Sequence, residues 1–304
     1  MSNPNLKENK FKRFIGVCSR NIIKALSKRK YVELQYKYIT GHKLNLNNPI
    51  RYTEKLQYLR LYTYPKNKDV IRCAGRVGVR DYLKELGLEE YLIKIYGIFN
   101  SYDDIDFSKL PNQFVMKCTH GSGMNFICYD KEKIDHKSLK KKFNCWLKTN
   151  YGKKTVEMHY SPIKPQIIIE ELMLENGKLP TEYKIHVFNG VAKYLYVVTS
   201  RNVDIRYNNY YIDWTPFDGA QFNGWKKTVY PLEIPENFKN MVVLSENLAK
   251  IFPFVRVDLY TINGKIYFSE MTFTPAKGTL IFDDDDADFE IGKWLDISSY
   301  ISSN

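Results

Sequence analysis

The sequence predicts a mixed α+β fold in which most strands are antiparallel. Helix and strand patterns do not alternate regularly along the 304 residues, as they would in a doubly wound sheet. Asn189-Gly190 and Asn263-Gly264 each lie between apolar runs, and such dipeptides are typical of tight hairpin turns. A hydrophobic content of 44%, with 15% aromatic residues, is sufficient for a buried core.

Periodicity and boundary residues predict the individual elements. The pattern over 48–62 indicates a helix with Thr53 as its cap, and a helix over 79–88 stops at Gly87. The acidic run over 282–288 is expected to be a solvated loop. The other predicted elements, in chain order, are a strand, glycine loop and strand over 113–129, a lysine-rich helix over 131–148, a buried strand within 164–173, a hairpin over 182–200, a helix over 237–253 and a second hairpin that begins near Arg256.

Most of the formal charge of +12 lies near the N-terminus. Residues 1–43 hold eleven Lys or Arg against two Glu, and apolar residues recur there at helical spacing, which indicates a basic amphipathic helix. Two interpretations remain open: its apolar stripe packs on the body of the protein, or residues 7–30 contact an anionic membrane face or partner. No nucleic acid partner is expected, because no nucleic-acid-binding motif accompanies the charge. The stripe comprises Phe11, Phe14, Ile15, Cys18, Ile22 and Leu26.

Several classes of protein are not expected. The sequence has no run of about 18 apolar residues, and its N-terminal residues lack the apolar core of a signal peptide, so a cytoplasmic location is expected. Five cysteines without a C-x-x-C pair indicate neither a disulfide framework nor a zinc site. We find no Ser-His-Asp or Cys-His arrangement that would indicate a nucleophilic enzyme.

A lysine followed by a glycine loop is the first candidate site. Lys117 lies in an apolar strand and precedes His120, Gly121, Ser122 and Gly123. Glycines let backbone N–H groups approach an anion, and the lysine adds a point charge, so this combination suits a triphosphate. The alternative is a plain hairpin turn, and the spacing is not that of a Walker loop.

Two acids end the next apolar strand. The run Ile167–Ile169 leads directly into Glu170 and Glu171, with Met173 two residues further on. Acids at a strand end can accept the hydroxyls of a ribose, and the adjoining backbone can hydrogen-bond an adenine edge. The alternative is that the strand simply leaves the core here.

The last hairpin carries Asp258 and Glu270. Because side chains alternate along a strand, a two-residue turn at Asn263-Gly264 would put Asp258 opposite Ser269 and Glu270 on the other face. A three-residue turn with Gly264 left-handed would bring both acids to one face, and we predict that form. Two carboxylates on a half-buried face repel each other unless a cation lies between them, and oxygen ligands favour magnesium. The alternative is two acids on a solvated face.

The order of these three features resembles the ATP-grasp superfamily, in which two α+β subdomains close on ATP. Segments across roughly residues 40 to 295 look like the TupA-like ATP-grasp family, named for teichuronopeptide biosynthesis; they are 48–62, 78–125, 164–173, 182–190 and 252–278. The resemblance implies four parts: a basic helical segment over 1–66, the first part of the ATP-grasp core over 67–110, a lid subdomain with the glycine loop over 111–173, and a C-terminal subdomain with the metal-binding hairpin over 174–304.

The resemblance also implies residue roles. The chain departs from the family at Gly75-Arg76, where an Asp-Lys pair is common, and it has Thr272 where many ATP-grasp enzymes have asparagine, a stronger magnesium ligand. The residues implied to bind ATP are Arg76, Lys117, His120, Gly121, Ser122, Gly123, Glu170, Glu171 and Met173; those implied to bind magnesium are Asp258, Glu270 and Thr272; and those implied to be catalytic are Arg256 and Lys184.

The implied activity is that of an ATP- and magnesium-dependent carboxylate–amine ligase acting through an acyl phosphate. Its implied substrates are a uronic acid or other carboxylate of a cell-surface polysaccharide and an amino acid or amine. A basic protein at the inner face of the membrane suits such an anionic substrate. The alternatives are a phosphotransferase acting on a sugar hydroxyl and an inactive scaffold in polysaccharide biosynthesis, which the two departures suggest.

Overall fold

The computed structural model describes residues 21–199, 204–222, 224–228 and 231–301. Residues 21–26 are helical, and most of the predicted N-terminal amphipathic helix lies outside the described residues. The α-helices in these ranges are Lys28–Thr40 (α1), Tyr52–Tyr58 (α2), Lys68–Ala74 (α3), Gly78–Glu85 (α4), His136–Leu147 (α5), Tyr151–Thr155 (α6), Phe238–Ala249 (α7), Asp285–Trp294 (α8) and Ser298–Ile301 (α9). The strands are Ile95–Phe99 (β1), Phe114–Cys118 (β2), Asn125–Cys128 (β3), Ile167–Glu171 (β4), Glu182–Phe188 (β5), Val191–Thr199 (β6), Arg206–Tyr211 (β7), Phe254–Ile262 (β8) and Lys265–Thr272 (β9).

The strands form two sheets. The first has four strands in the order β1-β4-β2-β3, and the second has five in the order β7-β6-β5-β8-β9. Neighbouring strands are antiparallel throughout both sheets. The predicted mixed α+β fold with mainly antiparallel strands is therefore confirmed. Strand β1 joins the first sheet from the segment 67–110, although the other three strands of this sheet lie within 111–173.

The first sheet packs one of its two faces against a hydrophobic core. Phe114 and Met116 of β2 are fully buried and belong to one hydrophobic cluster with Phe143 of α5. Because side chains alternate along a strand, Val115 and Lys117 point to the opposite face. The residues that make β2 a buried strand therefore also aim Lys117 away from this core.

The second sheet supports the larger core. Tyr52 of α2 packs edge-to-face on Phe188 and Phe254, with ring centroids 5.7 and 5.3 Å away. Such aromatic pairs each add about 0.5–1.5 kcal/mol beyond the area that they bury. Helix α7 packs against β5, β6 and β8, and the helix predicted over 237–253 is thus present in shortened form. This core fixes the register of the inner strands β5 and β8, in which Lys184 pairs with Asp258.

Two predictions about helix boundaries were wrong. Arg51, not Thr53, is the N-cap of α2, and Glu54 completes its capping box. Thr53 instead donates its hydroxyl to Asp288 at 2.6 Å. Asp288 belongs to the acidic run, which is not a solvated loop but the beginning of α8, where Asp284 accepts a hydrogen bond from the backbone of Asp286. Acidic residues are stabilised there because the first backbone N–H groups of a helix lack partners.

The hairpin of β8 and β9 has a two-residue turn, so the predicted three-residue turn was wrong. Asn263 and Gly264 both have positive φ, 50° and 76°, and Ile262 pairs with Lys265. Asparagine tolerates the left-handed region, which permits this tighter turn. A β-bulge at Ser269 then shifts the register, and Asp258 pairs directly with Glu270. The two acids thus share a face as predicted, by a different route.

Candidate active site

One cavity is lined by strands of both sheets, and a larger one is lined by the loop between β2 and β3 together with strands of the second sheet. The larger, of about 390 Å³, is bordered by the glycine loop between β2 and β3, by the α3–α4 junction and by β8 and β9. The smaller, of about 230 Å³, lies between Lys117 and its neighbours on the first sheet and Tyr260 on the second. The larger cavity brings together Arg76, Gly121, Ser122, Gly123, Arg256, Glu270 and Thr272. The smaller one brings together Lys117, Glu171 and Met173.

Lys117 is held by a buried carboxylate. Its Nζ lies 2.6 Å from Oε2 of Glu170, and Arg80 lies 3.7 Å from the other oxygen. The two side chains share a face because Glu170 pairs with Val115, two residues before the lysine. Burial would raise the pKa of Glu170, but Lys117, with Arg76 and Arg80, outweighs it and holds the pKa below its usual value. Glu170 therefore stays ionised and fixes the lysine at the rim of the smaller cavity.

The glycine loop is shaped by close backbone approach. A Cβ on Gly121 would lie 2.6 Å from the ring of Tyr151, and Gly123 has a φ of +72°. Only glycine fits the first position without displacing its neighbours, and the second requires a conformation that other residues rarely adopt. Ser122 between them is exposed and lines the larger cavity.

His120 points away from the other predicted site residues. Its Nε2 lies 3.2 Å from the carbonyl oxygen of Trp146 and 3.1 Å from that of Thr149, at the end of α5. Burial lowers the pKa of His120, and the two carbonyls only partly offset this effect. The side chain anchors the glycine loop to the end of α5, and it lines neither of the two cavities.

A buried charged cluster lies in the second sheet. Asp258 accepts bonds from Nε and Nη2 of Arg256 at 2.6 and 2.7 Å, and it also pairs with Lys184, its partner in register on β5. Nη1 of the arginine donates to Tyr196 at 2.8 Å. Burial would raise the pKa of Asp258, but Arg256 and Lys184 hold it below its usual value. The same carboxylate raises the pKa of Arg256 against the effect of burial.

Glu270 borders this cluster and lines the larger cavity. Its Oε2 lies 3.3 Å from Arg76, and its Oε1 lies 3.7 Å from Arg256. The side chain is 33% exposed, whereas that of Asp258 is 1% exposed. Partial burial would raise the pKa of Glu270, but Arg76 outweighs it and the pKa is lowered. Thr272 accepts from Arg256 at 3.0 Å and is 3.4 Å from Glu270 as a donor.

These groups fit a magnesium ion only together with other ligands. In the described ranges, no three His, Cys, Asp or Glu side chains gather as they would around a metal. Asp258 already accepts three bonds, so Glu270 is the more available oxygen donor. Magnesium commonly keeps several waters and binds one or two carboxylates plus phosphate oxygens. The donor set fits that mode of binding.

Some residues of the larger cavity were missed by the sequence analysis. Glu157 and Lys277 line it, together with Tyr151 and Tyr160, and Arg80 supports Glu170 from outside. Glu157 follows a short helix in a segment without a recognisable motif, and Lys277 lies in a turn where its φ is +59°. Their positions depend on how distant segments pack, and no local pattern marks them.

Comparison with known proteins locates the chain in a family. Residues 54–296 match the sequence profile of the TupA-like ATPgrasp family. None of the curated proteins is significantly similar to the chain in sequence.

The solved structures of several enzymes are similar in fold to part of the chain. D-alanine–D-alanine ligase from Bacillus anthracis in complex with ATP is 16% identical, with a TM-score of 0.42 over 66% of this chain and 55% of that one. N5-carboxyaminoimidazole ribonucleotide synthetase in complex with ADP is 12% identical, with a TM-score of 0.45 over 78% and 55%. Phosphoribosylamine–glycine ligase from Thermotoga maritima is 13% identical, with a TM-score of 0.39 over 75% and 51%. The chain thus spans only about half the length of each of these enzymes.

Proposed function

Because the chain belongs to the TupA-like ATP-grasp family, we propose that it binds magnesium and ATP between its two sheets and joins a carboxylate to an amine. The observation that carries this proposal is a pair of charged clusters, one built on each sheet, that border the two cavities. Lys117 with Glu170 borders one cavity, and Glu270 with Arg76 and Arg256 faces the other.

The smaller cavity suits the nucleoside of ATP. Val115, Ile127 and Met173 give it apolar walls, and Glu171 supplies a carboxylate at its edge. Ligand cavities usually combine apolar walls with a few polar groups that fix orientation. We assign the adenine to these walls and the ribose hydroxyls to Glu171.

The larger cavity suits the phosphates and the reacting carboxylate. Arg76 and Arg256 supply positive charge there, and the backbone of Gly121–Gly123 can approach phosphate oxygens closely. Asp258 and Lys184 hold Arg256 in place from beneath the sheet. Magnesium, when bound at Glu270, would neutralise charge on the phosphates. The residues of the chain thus bind and orient the reactants and stabilise charge as it develops.

The proposed reaction has two steps. A carboxylate oxygen of the first substrate attacks the γ-phosphorus, and the bond to the oxygen that bridges the β- and γ-phosphates breaks, leaving ADP and an acyl phosphate. The amine loses a proton from its ammonium form, and its nitrogen then attacks the acyl carbon and releases a second proton, while the C–O bond breaks and inorganic phosphate departs. We propose a carboxylate of a cell-surface polysaccharide as the first substrate, because the cavity is rich in cations.

Two other functions predict different products. A phosphotransferase would pass the γ-phosphate to a sugar hydroxyl and would need no amine. An inactive scaffold would bind no nucleotide. The replacement at position 76 does not remove the positive charge, since Arg76 forms an ion pair with Glu270. This contact favours an active enzyme over a scaffold.

Calorimetry of ATP binding with and without magnesium tests the proposal. We expect wild type to bind ATP only weakly without magnesium, and the double variant Asp258→Asn, Glu270→Gln to lose the effect of the metal. The exposed acids Asp286 and Glu236 provide a matched control, Asp286→Asn with Glu236→Gln, which should bind like wild type. Folded wild-type protein that binds no ATP at any magnesium concentration would overturn the proposal.

We also propose that the N-terminal part contacts an anionic membrane surface. Leu34 and Tyr38 on α1 are 54% and 90% exposed, the exposed Lys30 and Lys37 lie on the same helix, and Leu26 just before it is 82% exposed. A face that combines apolar and basic side chains suits the boundary of an anionic bilayer. Among the described residues, no helix is long and apolar enough to cross a bilayer.

Co-sedimentation with vesicles tests this contact. We expect binding to phosphatidylglycerol vesicles and not to phosphatidylcholine vesicles, and reduced binding for Leu34→Ser with Tyr38→Ser and for Lys30→Glu with Lys37→Glu. Val243, which is 56% exposed on α7, provides the control variant Val243→Ser. Equal sedimentation of wild type with both kinds of vesicle would contradict the proposal, as would a dimer formed through this face.

A further inference from the structure

Glu157 is a buried carboxylate with one unsatisfied oxygen. The residue is 4% exposed and follows α6. Its Oε1 accepts a hydrogen bond of 2.5 Å from the hydroxyl of Thr274. Its Oε2 is buried and has no hydrogen-bond partner among the described residues. Buried polar atoms nearly always have a hydrogen-bond partner, so an unpartnered carboxylate oxygen on a residue that lines a cavity is a candidate binding position.

The carboxylate is held in place by its surroundings. Its backbone N–H donates to Gly152, and a Cβ at Gly152 would lie 2.9 Å from the carbonyl oxygen of Glu157. The preceding residue, Val156, has a φ of 61°, and its carbonyl accepts a bond of 3.1 Å from the buried Arg60. A branched residue in the left-handed region persists only where its surroundings enforce it. The direction of Glu157 is therefore fixed before any ligand binds.

Glu157 and Glu270 are the two carboxylates that line the larger cavity. Glu270 has Arg76 and Arg256 within ion-pair distance. In the part of the chain that the structure describes, Glu157 has no such ion pair, although its charge raises the pKa of Tyr151, second to burial. Arg76 and Arg256 are thus arranged around Glu270, whereas Glu157 interacts with Arg60 and Tyr151 and lines the cavity without an ion-pair partner among the described residues.

We infer that Glu157 binds the ammonium group of the amine substrate, with Oε2 as the acceptor. This inference rests on the proposed ligase function, which requires a carboxylate and an amine to meet beside ATP. Arg76, Arg256 and Lys277 suit the anionic groups, whereas an ammonium needs an acceptor and prefers an ionised one. Glu157 separates the two substrates by charge: anions bind at the arginines, and the cationic nitrogen binds at Glu157.

The experiment uses glycinamide as a small ammonium probe and N-acetylglycinamide as its neutral counterpart. Saturation-transfer NMR gives their Kd values for the full chain, with and without magnesium and a non-hydrolysable ATP analogue. We expect glycinamide to bind and N-acetylglycinamide not to bind. Glu157→Gln, which keeps the shape and the Thr274 contact, should weaken glycinamide binding at least about tenfold, the loss of roughly 1.4 kcal/mol. The exposed Glu132 provides the control Glu132→Gln, which should bind glycinamide like wild type.

A second measurement needs no variant. Carbodiimide treatment of wild type in dilute glycinamide, followed by mass spectrometry, should couple the probe to Glu157 although this residue is buried. Unchanged glycinamide binding in Glu157→Gln, or no coupling at Glu157 while exposed acids react, would overturn the inference. Loss of magnesium-dependent ATP binding in Glu157→Gln would also overturn it, because the carboxylate would then belong to the metal. A wild type that binds glycinamide but no ATP would leave this site standing and reject the ligase function instead.

Discussion

Asp258 and Glu270 face each other across the β8–β9 hairpin because Ser269 is inserted as a bulge between them and the turn. Without the bulge, the two-residue turn would pair Asp258 with Ser269. Asp258 is thereby placed under Arg256 and Lys184, while Glu270 reaches the larger cavity and Arg76. One extra residue thus leaves Asp258 buried, where it holds Arg256, and brings Glu270, the proposed magnesium ligand, to the cavity surface.

Replacement of Thr272 by asparagine should strengthen magnesium binding. The hydroxyl of Thr272 lies beside Glu270 and accepts from Arg256, so the position borders the proposed metal site. A carboxamide oxygen is a better magnesium ligand than a hydroxyl, and we expect Thr272→Asn to lower the magnesium concentration for half-maximal ATP binding about threefold. A magnesium titration monitored by calorimetry measures this value. Thr272→Val serves as the control, and equal values for all three proteins would exclude a ligand at this position.

Replacement of Lys117 should separate stability from ATP binding. Lys117→Met leaves the buried Glu170 with only the more distant Arg76 and Arg80, and removal of one partner of a buried ion pair costs about 3–5 kcal/mol. Adding Glu170→Leu should recover most of the free energy of unfolding, because the buried carboxylate is removed together with its lysine partner. Urea unfolding measures both effects, and calorimetry should show that ATP binding is not recovered. Recovery of ATP binding in the double variant would contradict a phosphate contact by Lys117.

Replacement of Arg60 should destabilise the floor of the larger cavity. The fully buried guanidinium donates to the carbonyl oxygens of Thr155, Val156 and Lys277, and thereby joins two segments that line the cavity. A lysine cannot make these divergent bonds, so Arg60→Lys should lower the free energy of unfolding by about 3 kcal/mol. The exposed Arg29 offers the control Arg29→Lys, for which a change of at most about 0.5 kcal/mol is expected. Equal losses in the two variants would contradict this role.

The stability of the protein in acid should depend on His159. Its ring is fully buried among Tyr64, Tyr160 and Phe273, and burial, followed by the charge of Arg60, lowers its pKa from 6.5 to about 3. Below pH 6.5, His159 therefore binds a proton in the unfolded chain but stays neutral in the folded chain. The free energy of unfolding falls as the pH decreases from 6.5 towards 3.

The variant His159→Phe should remove this contribution. Between pH 7 and pH 5 it should lose about 2 kcal/mol less free energy of unfolding than wild type. Urea unfolding at the two pH values measures the difference. Parallel losses in the two proteins would show that His159 becomes protonated in the folded state.

The β-strands and hairpins were largely predictable because their information is local. Asn189-Gly190 and the apolar runs around it indicated the β5–β6 hairpin, and the apolar run before Glu170 indicated β4. The family resemblance added predicted roles for the candidate site residues, most of which line the two cavities or lie directly beneath them. His120 is the exception, since only the packing of α5 shows that its ring caps carbonyl groups there.

Local patterns in the chain were sufficient for most of the antiparallel strands, the glycine loop and the presence of acids on β4, β8 and β9, but not for β1, β7 or the division into two sheets. Tertiary structure alone decided which charges meet, because Glu157, Arg76 and Glu270 come from distant segments whose distances no spacing encodes. The bulge at Ser269 belongs to the same class of feature. Its free energy depends on packing across the sheet and not on the turn, so the sequence near Asn263 could not reveal it.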